Sequence, residues 1–242
     1  RDFCLSRGLG DVYKRQTVYT VDLLGCGRSD KSSITYTNFV YVQMISDFIK
    51  KIIGQKTDVI ASGFSGSFVT MACHNEKELF NKIMLVNPPS LTQLKQMPNR
   101  KDRLLKAALE IPIFGTLVYH MIVSRDNINN LFIEKMYYNP FHVDNQMADA
   151  YYEAAHKGGY YTRFLYSSLA AKYININICH ALKALDNSIY IVEGETEPNG
   201  KAVTDDYCAS NPAIEVSVLK ETKHLPHVEA PEAFLEQVKI FF

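Results

Sequence analysis

Short apolar, β-branched runs alternate along this chain with segments whose apolar residues recur every three or four positions. The runs are "TVYTVDLL" (17–24), "DVIAS" (58–62), "KIMLVNP" (82–88), "SIYIVEGE" (188–195) and "EVSVLKE" (215–221). Each has strand length and strand composition, and each ends at turn-forming residues: Gly25, Gly63, Pro88 with Pro89, Gly194, and a charged loop. Helical spacing runs from Asn38, a plausible N-cap, through Tyr41, Met44, Ile45, Phe48, Ile49 and Ile52 to Gly54. A second helix follows Ser65 to about Asn75. A last one begins at Pro231 and turns Phe234, Leu235, Val238 and Phe241 inward. Strand, helix, strand, helix, strand predicts a mostly parallel sheet flanked by helices.

Between residues 90 and 186 the rhythm changes. The segment is helical and aromatic, with "MYYNPF", "AYYEAA" and "GYYTRFLY", and has no convincing strand. It reads as a helical cap or lid inserted after the third strand-like run. The predicted organisation is a core of 17–89 and 187–242 with a cap of 90–186 over the sheet's carboxyl edge, where open α/β sheets bind ligands.

Charge adds little: 26 basic and 26 acidic residues balance to zero, so nothing argues for a nucleic-acid or anionic-membrane partner. No run of about 18 apolar residues occurs, so no membrane span is predicted. Five widely spread cysteines without a C-x-x-C pair suit free thiols in a reducing cytoplasm. His74, His120, His142, His156 and His180 form no ligand-spaced cluster, so neither a metal nor another cofactor is implied. The opening "RDFCLSRGLGDVYKRQ" resembles a translated sequencing adapter, and residues 1–16 are expected to be non-native, with the native beginning lost.

Chemistry enters at Gly63-Phe64-Ser65-Gly66-Ser67, between a predicted strand and a predicted helix. Small residues around Ser65 permit a sharp turn that would hold its hydroxyl at the sheet's carboxyl edge. The N–H of Gly66 and the helix end could then stabilise charge on a substrate oxygen. A serine needs a base, and the base needs an orienting acid. Later strands offer both in the right order. Gly194-Glu195-Thr196-Glu197 follows one, and His224 follows the last.

These stretches together resemble the α/β-hydrolase superfamily in its capped branch. "VDLLGCGRSDK" is similar to the family's D-x-x-G-x-G-x-S turn, "GFSGS" to its nucleophile elbow, "GETE" to its acid loop, and "KHLPHVEAPEAF" to its histidine ending. The resemblance implies Ser65 as nucleophile, Glu197 as acid with Glu195 next, and His224 as base, with His227 a packing or surface residue. Gly66 is implied as one oxyanion-hole donor. The second, usually on a His-Gly loop, has no counterpart, since no His-Gly pair occurs. In the family that loop follows a central strand lying between the 17–24 and 58–62 strands. The chain as written is therefore expected to be poorly active. No carboxylate follows the third run, where "VNPPS" offers only Asn87. Arg28, Ser29 and Asp30 read as turn architecture.

The implied activity is serine-dependent hydrolysis of a carboxylic ester or related small acyl compound. Phe64, Tyr160 and Phe164 are candidates to face the substrate. An acyltransferase with the same three residues, a non-catalytic ligand-binding member of the fold, and C–C bond hydrolysis or a lyase use of the pocket are the alternatives.

Overall fold

The computed structural model describes residues 17–143 and 145–242. The expectation about residues 1–16 lies outside the described residues. Among the described residues four parallel strands form one sheet in the order β1 (Thr57–Ser62), β2 (Phe80–Val86), β3 (Ile189–Gly194) and β4 (Glu215–Leu219). All four carboxyl ends therefore share one edge, as the register pairs Ser62 with Val86 and Gly194 with Leu219 show.

The period-2 alternation of β2 and β3 divides the core into two layers. Ile83 and Leu85 of β2, with Ile189 and Ile191 of β3, face one way, into a cluster with α1 (Asn38–Phe48) and α2 (Phe64–Asn75). Met84, Val86, Tyr190 and Val192 face the other way, where Phe234 and Val238 of the last helix cover them. β3 is buried along its whole length, as a strand covered on both faces should be. Helix α1 starts one residue after its cap position, Thr37, and continues as a π-helical turn over Ile49–Ile53.

The run 17–24 does not become a strand. Its composition favours extended structure, but its backbone joins no ladder among the described residues. A groove of about 590 Å³ is lined by Val18, Val21 and Leu23 together with Ile60 and Ala61 of β1. A strand needs a hydrogen-bonding neighbour about 4.8 Å away, and among the described residues none pairs with this run. Among the described residues β1 is therefore the edge of the sheet, and the helical insert follows the second strand instead of a third.

The insert consists of α3 (Leu91–Leu94), α4 (Arg100–Glu110), α5 (Pro112–Ile122), α6 (Arg125–Leu131), α7 (Asn145–His156), α8 (Thr162–Ala170) and α9 (Cys179–Ala184). Asn99 opens α4 with a full capping box against Asp102. The insert has its own small core of Ile128, Phe132, Tyr137 and Met147, completed by Leu225 from the segment after β4. Its two ends belong with the sheet: Leu91 and Leu94 of α3, and Ala181 and Leu182 of α9, are buried in the cluster around β2. Among the described residues no single helix is long and apolar enough to cross a membrane. The rest of the chain is α10 (Gly200–Ser210), α11 (Pro226–Glu229) and α12 (Pro231–Phe241).

Candidate functional site

The turn between β1 and α2 is the first component. Its strained residue is Gly63, at φ 57° and ψ −132°, a region that a side chain makes costly. The N–H of Gly63 completes the sheet edge by donating to Val86 O at 2.9 Å. Helical geometry begins at Phe64, so Ser65 is the second residue of α2 and lies past the apex where the sequence led us to expect it. The backbone explains the offset, since glycine takes this torsion most easily.

The hydroxyl of Ser65 donates to Ser62 O at 2.7 Å. Half-buried, Ser65 lines the groove along the outer edge of β1 with Leu23, Ala61 and Val69. The N–H of Gly66 donates to Gly63 O at 3.1 Å, and a side chain at this buried position would press on Leu85. Ser67 is fully buried and bonded to Phe64 O.

The second component is a pair of loops at the ends of β3 and β4. After Gly194 the chain turns through Glu195 and Thr196, whose N–H groups donate to Leu219 O and Thr222 O. This brings Glu197 against the imidazole of His224. Nδ1 of the ring lies 3.1 Å from Oε1 and 3.2 Å from Oε2. Glu195 points elsewhere, accepting the Glu221 N–H at 3.0 Å. Of the two carboxylates weighed from the sequence, Glu197 is the one that meets the histidine.

Asn87 locks these loops together. It follows β2 directly, is 5% exposed, and holds φ at +42°. Its Nδ2 donates to Lys223 O at 2.8 Å and to His224 O at 2.9 Å, while its Oδ1 accepts the Gly194 N–H at 3.0 Å. One side chain thus spans the acid loop and the histidine loop. The sequence left Asn87 only as the resident of a vacant acid position, and nothing in "VNPPS" announces a cross-link. The insert adds further anchors. Met136 O accepts the His224 N–H, and Glu229 takes N–H bonds from both Lys223 and Tyr138.

Two titratable neighbours are shaped by burial. His227 packs beside the Phe234 ring, its Nδ1 buried with no partner, and its imidazole is pushed down to about 4 by burial and then by the nearby His224. A packing role follows for it. Glu193, the last buried side chain before Gly194, has its carboxyl pushed up, chiefly by burial, with the charge of Glu197 adding to the effect and the Thr204 hydroxyl opposing it.

The aromatic candidates are scattered. Phe64 and Phe164 are half-buried against the cluster around β2. Tyr160 is 53% exposed and lies tilted against the Tyr161 ring, with the Arg163 guanidinium over both Tyr160 and Phe164. Among the described residues no hydrogen bond joins Ser65 to His224, no ring contact joins Tyr160 or Phe164 to it, and no group of three His, Cys, Asp or Glu side chains is placed to hold a metal.

A family profile described as the alpha/beta hydrolase family matches residues 3–237. No curated protein matches the chain in sequence. Among solved structures it is similar to a carboxylesterase of the thaumarchaeon Nitrososphaera gargenis, at 15% identity over 91% of this chain and 77% of that one, with a TM-score of 0.64. It is similar to the meta-cleavage product hydrolase of Pseudomonas fluorescens IP01, at 17% identity over 91% and 77%, with a TM-score of 0.69. A bromoperoxidase from Bacillus anthracis gives 11% identity over 91% and 79%, also at 0.69. With its parallel sheet, its strand–turn–helix at Gly63 and this profile match over most of its length, the chain belongs to the α/β hydrolase family.

Proposed function

We propose that this chain hydrolyses a small carboxylic ester or related acyl compound, with His224 as general base and Glu197 as the carboxylate that orients it. One observation carries this reading: Nδ1 of His224 faces both oxygens of Glu197, at 3.1 and 3.2 Å. A carboxylate there favours the tautomer with hydrogen on Nδ1 and stabilises the imidazolium once formed. Nε2 is then the nitrogen that takes a proton from the attacking nucleophile and returns it to the leaving group. The helical insert serves as the cap, and Phe64, Phe164 and Tyr160 are the aromatic side chains offered to the substrate. Gly66 supplies an oxyanion-hole donor if a substrate oxygen replaces Gly63 O as the partner of its N–H. Ser65, which the resemblance implied as nucleophile, donates its hydroxyl hydrogen to Ser62 O and makes no hydrogen bond to His224 among the described residues.

A specific observation also favours a second reading, a ligand-binding protein without turnover: the Ser65 hydroxyl already has a partner other than His224. Steady-state hydrolysis of a p-nitrophenyl ester series by the full chain and by His224→Ala decides between them. A fall on the order of 10²–10⁴ in kcat for the variant supports hydrolysis. Equal rates for the two proteins sink it. Added alcohol or thiol acceptors that divert product would identify a transferase using the same pair.

A further inference from the structure

We propose that the nucleophile activated by His224 is a water molecule over Gly63, and that no acyl-enzyme forms on Ser65. The inference rests on the assignment of His224 as base and deepens it. A nucleophilic side chain works at a strand-to-helix elbow because it sits on the strained residue, whose torsion throws it clear of both elements over the carboxyl edge. In this chain the strained residue is Gly63, which has no side chain. Ser65 lies within the first turn of α2, where its hydroxyl points back to Ser62 O at 2.7 Å. It lines the groove on the outer side of β1, away from β2.

His224 belongs to the opposite flank. It is tied to the ends of β2 and β3 through Asn87 and Glu197. The apex at Gly63 adjoins that flank. Its N–H is bonded to Val86 O, and the next residue, Asn87, holds the His224 carbonyl. A Cβ built on Gly63 would meet nothing within 4 Å. The space that an apical side chain would fill is therefore open, and it lies one sheet rung from the histidine loop.

The chemistry balances with water as co-reactant. His224 Nε2 takes one proton from the water as its oxygen attacks the substrate carbonyl and forms the new C–O bond. The tetrahedral adduct collapses by breaking the bond to the leaving alkoxide, which takes the proton back from the imidazolium. Ester and water become acid and alcohol, and the enzyme is unchanged.

Three measurements on the full chain test this. Ser65→Ala should keep ester hydrolysis within about twofold of the parent, while His224→Ala loses it by the margin given above. Incubation with a p-nitrophenyl ester, followed by intact-mass analysis of the quenched protein, should show no acyl adduct, and a fluorophosphonate should leave the parent unlabelled. Gly63→Ser should gain fluorophosphonate labelling at residue 63 that disappears when His224→Ala is added. Labelling or acylation of Ser62 or Ser65 in the parent overturns the proposal, as does a Ser65→Ala variant without activity. A folded Gly63→Ser that stays unlabelled overturns the apex geometry. If it does not fold, the adduct and Ser65→Ala results decide alone. Hydrolysis that ignores His224→Ala removes the base assignment itself, a different failure from acylation of a serine.

Discussion

Replacing Asn87 by glycine and by alanine separates what its side chain does from what its backbone needs. The side chain makes three hydrogen bonds between neutral partners, at 2.8, 2.9 and 3.0 Å, from a site 5% exposed. Each such bond contributes about 0.5–1.5 kcal/mol net, and a buried polar group left without a partner costs about 1–3 kcal/mol. Both variants orphan the Gly194 N–H and remove a donor from two carbonyls. Entry of water into the vacated space would offset part of this, leaving a loss of roughly 2–4 kcal/mol for glycine. Alanine should be worse by about 1 kcal/mol, because φ is +42° and a Cβ is strained there. The expected order of stability is therefore Asn87, then glycine, then alanine.

The assay is denaturation by guanidinium chloride, with the midpoint compared at constant m-value. For the proposed hydrolysis, Asn87→Gly should lower kcat on the order of 10²-fold with little change in KM, because slack between the two loops misplaces the base more than the substrate. Alanine as stable as glycine, or both within 1 kcal/mol of the parent, would refute the reasoning.

Other consequences follow from the same region. His227 titrates near 6.5 when unfolded and at about 4 when folded, so the folded state binds fewer protons between those values. Stability should fall as pH drops from about 6.5 to about 4, by at most roughly 3 kcal/mol, and His227→Phe should flatten that window; an unchanged pH dependence of the midpoint would contradict it. A Cβ at Gly194 would lie 1.9 Å from Lys223 O, backbone against backbone. Gly194→Ala should cost about 1–3 kcal/mol in thermal denaturation and push the histidine loop away from Glu197, and an unaltered melting temperature would count against this. Glu197→Gln presents an amide that can donate to Nδ1 and select the wrong tautomer, so kcat should drop roughly 10²–10⁴-fold, whereas Glu195→Gln, bonded to Glu221 N–H, should leave kcat alone. Similar losses in both would mean that the paired geometry is not what matters.

The parts of the fold legible in the sequence are those governed by local periodicity. The unbroken apolar runs in "KIMLVNP" and "SIYIVEGE" mark β2 and β3 because both faces of each strand are covered, and the spacing of Phe234 and Val238 marks α12 because one stripe of that helix closes the second layer. The run 17–24 carries a similar composition and does not form a strand, since among the described residues no neighbour completes its ladder. The pairing of Glu197 with His224 was legible as an order of motifs on successive strands. The cross-link through Asn87 was not, because its three partners lie 107, 136 and 137 residues away in sequence.

The elbow shows most clearly what each level decides. By itself the sequence determined that a sharp, glycine-bearing turn joins β1 to α2, and that an acid and a histidine follow later strands, because these are properties of neighbouring residues and of chain order. Which residue takes the apex was decided by tertiary structure. The rung from Gly63 N–H to Val86 O sets where β1 ends and α2 begins, and a shift of two residues carries a side chain from the face of the histidine loop to the groove beside β1. Hydroxyl orientation depends on that shift, and no local pattern in "GFSGS" contains it.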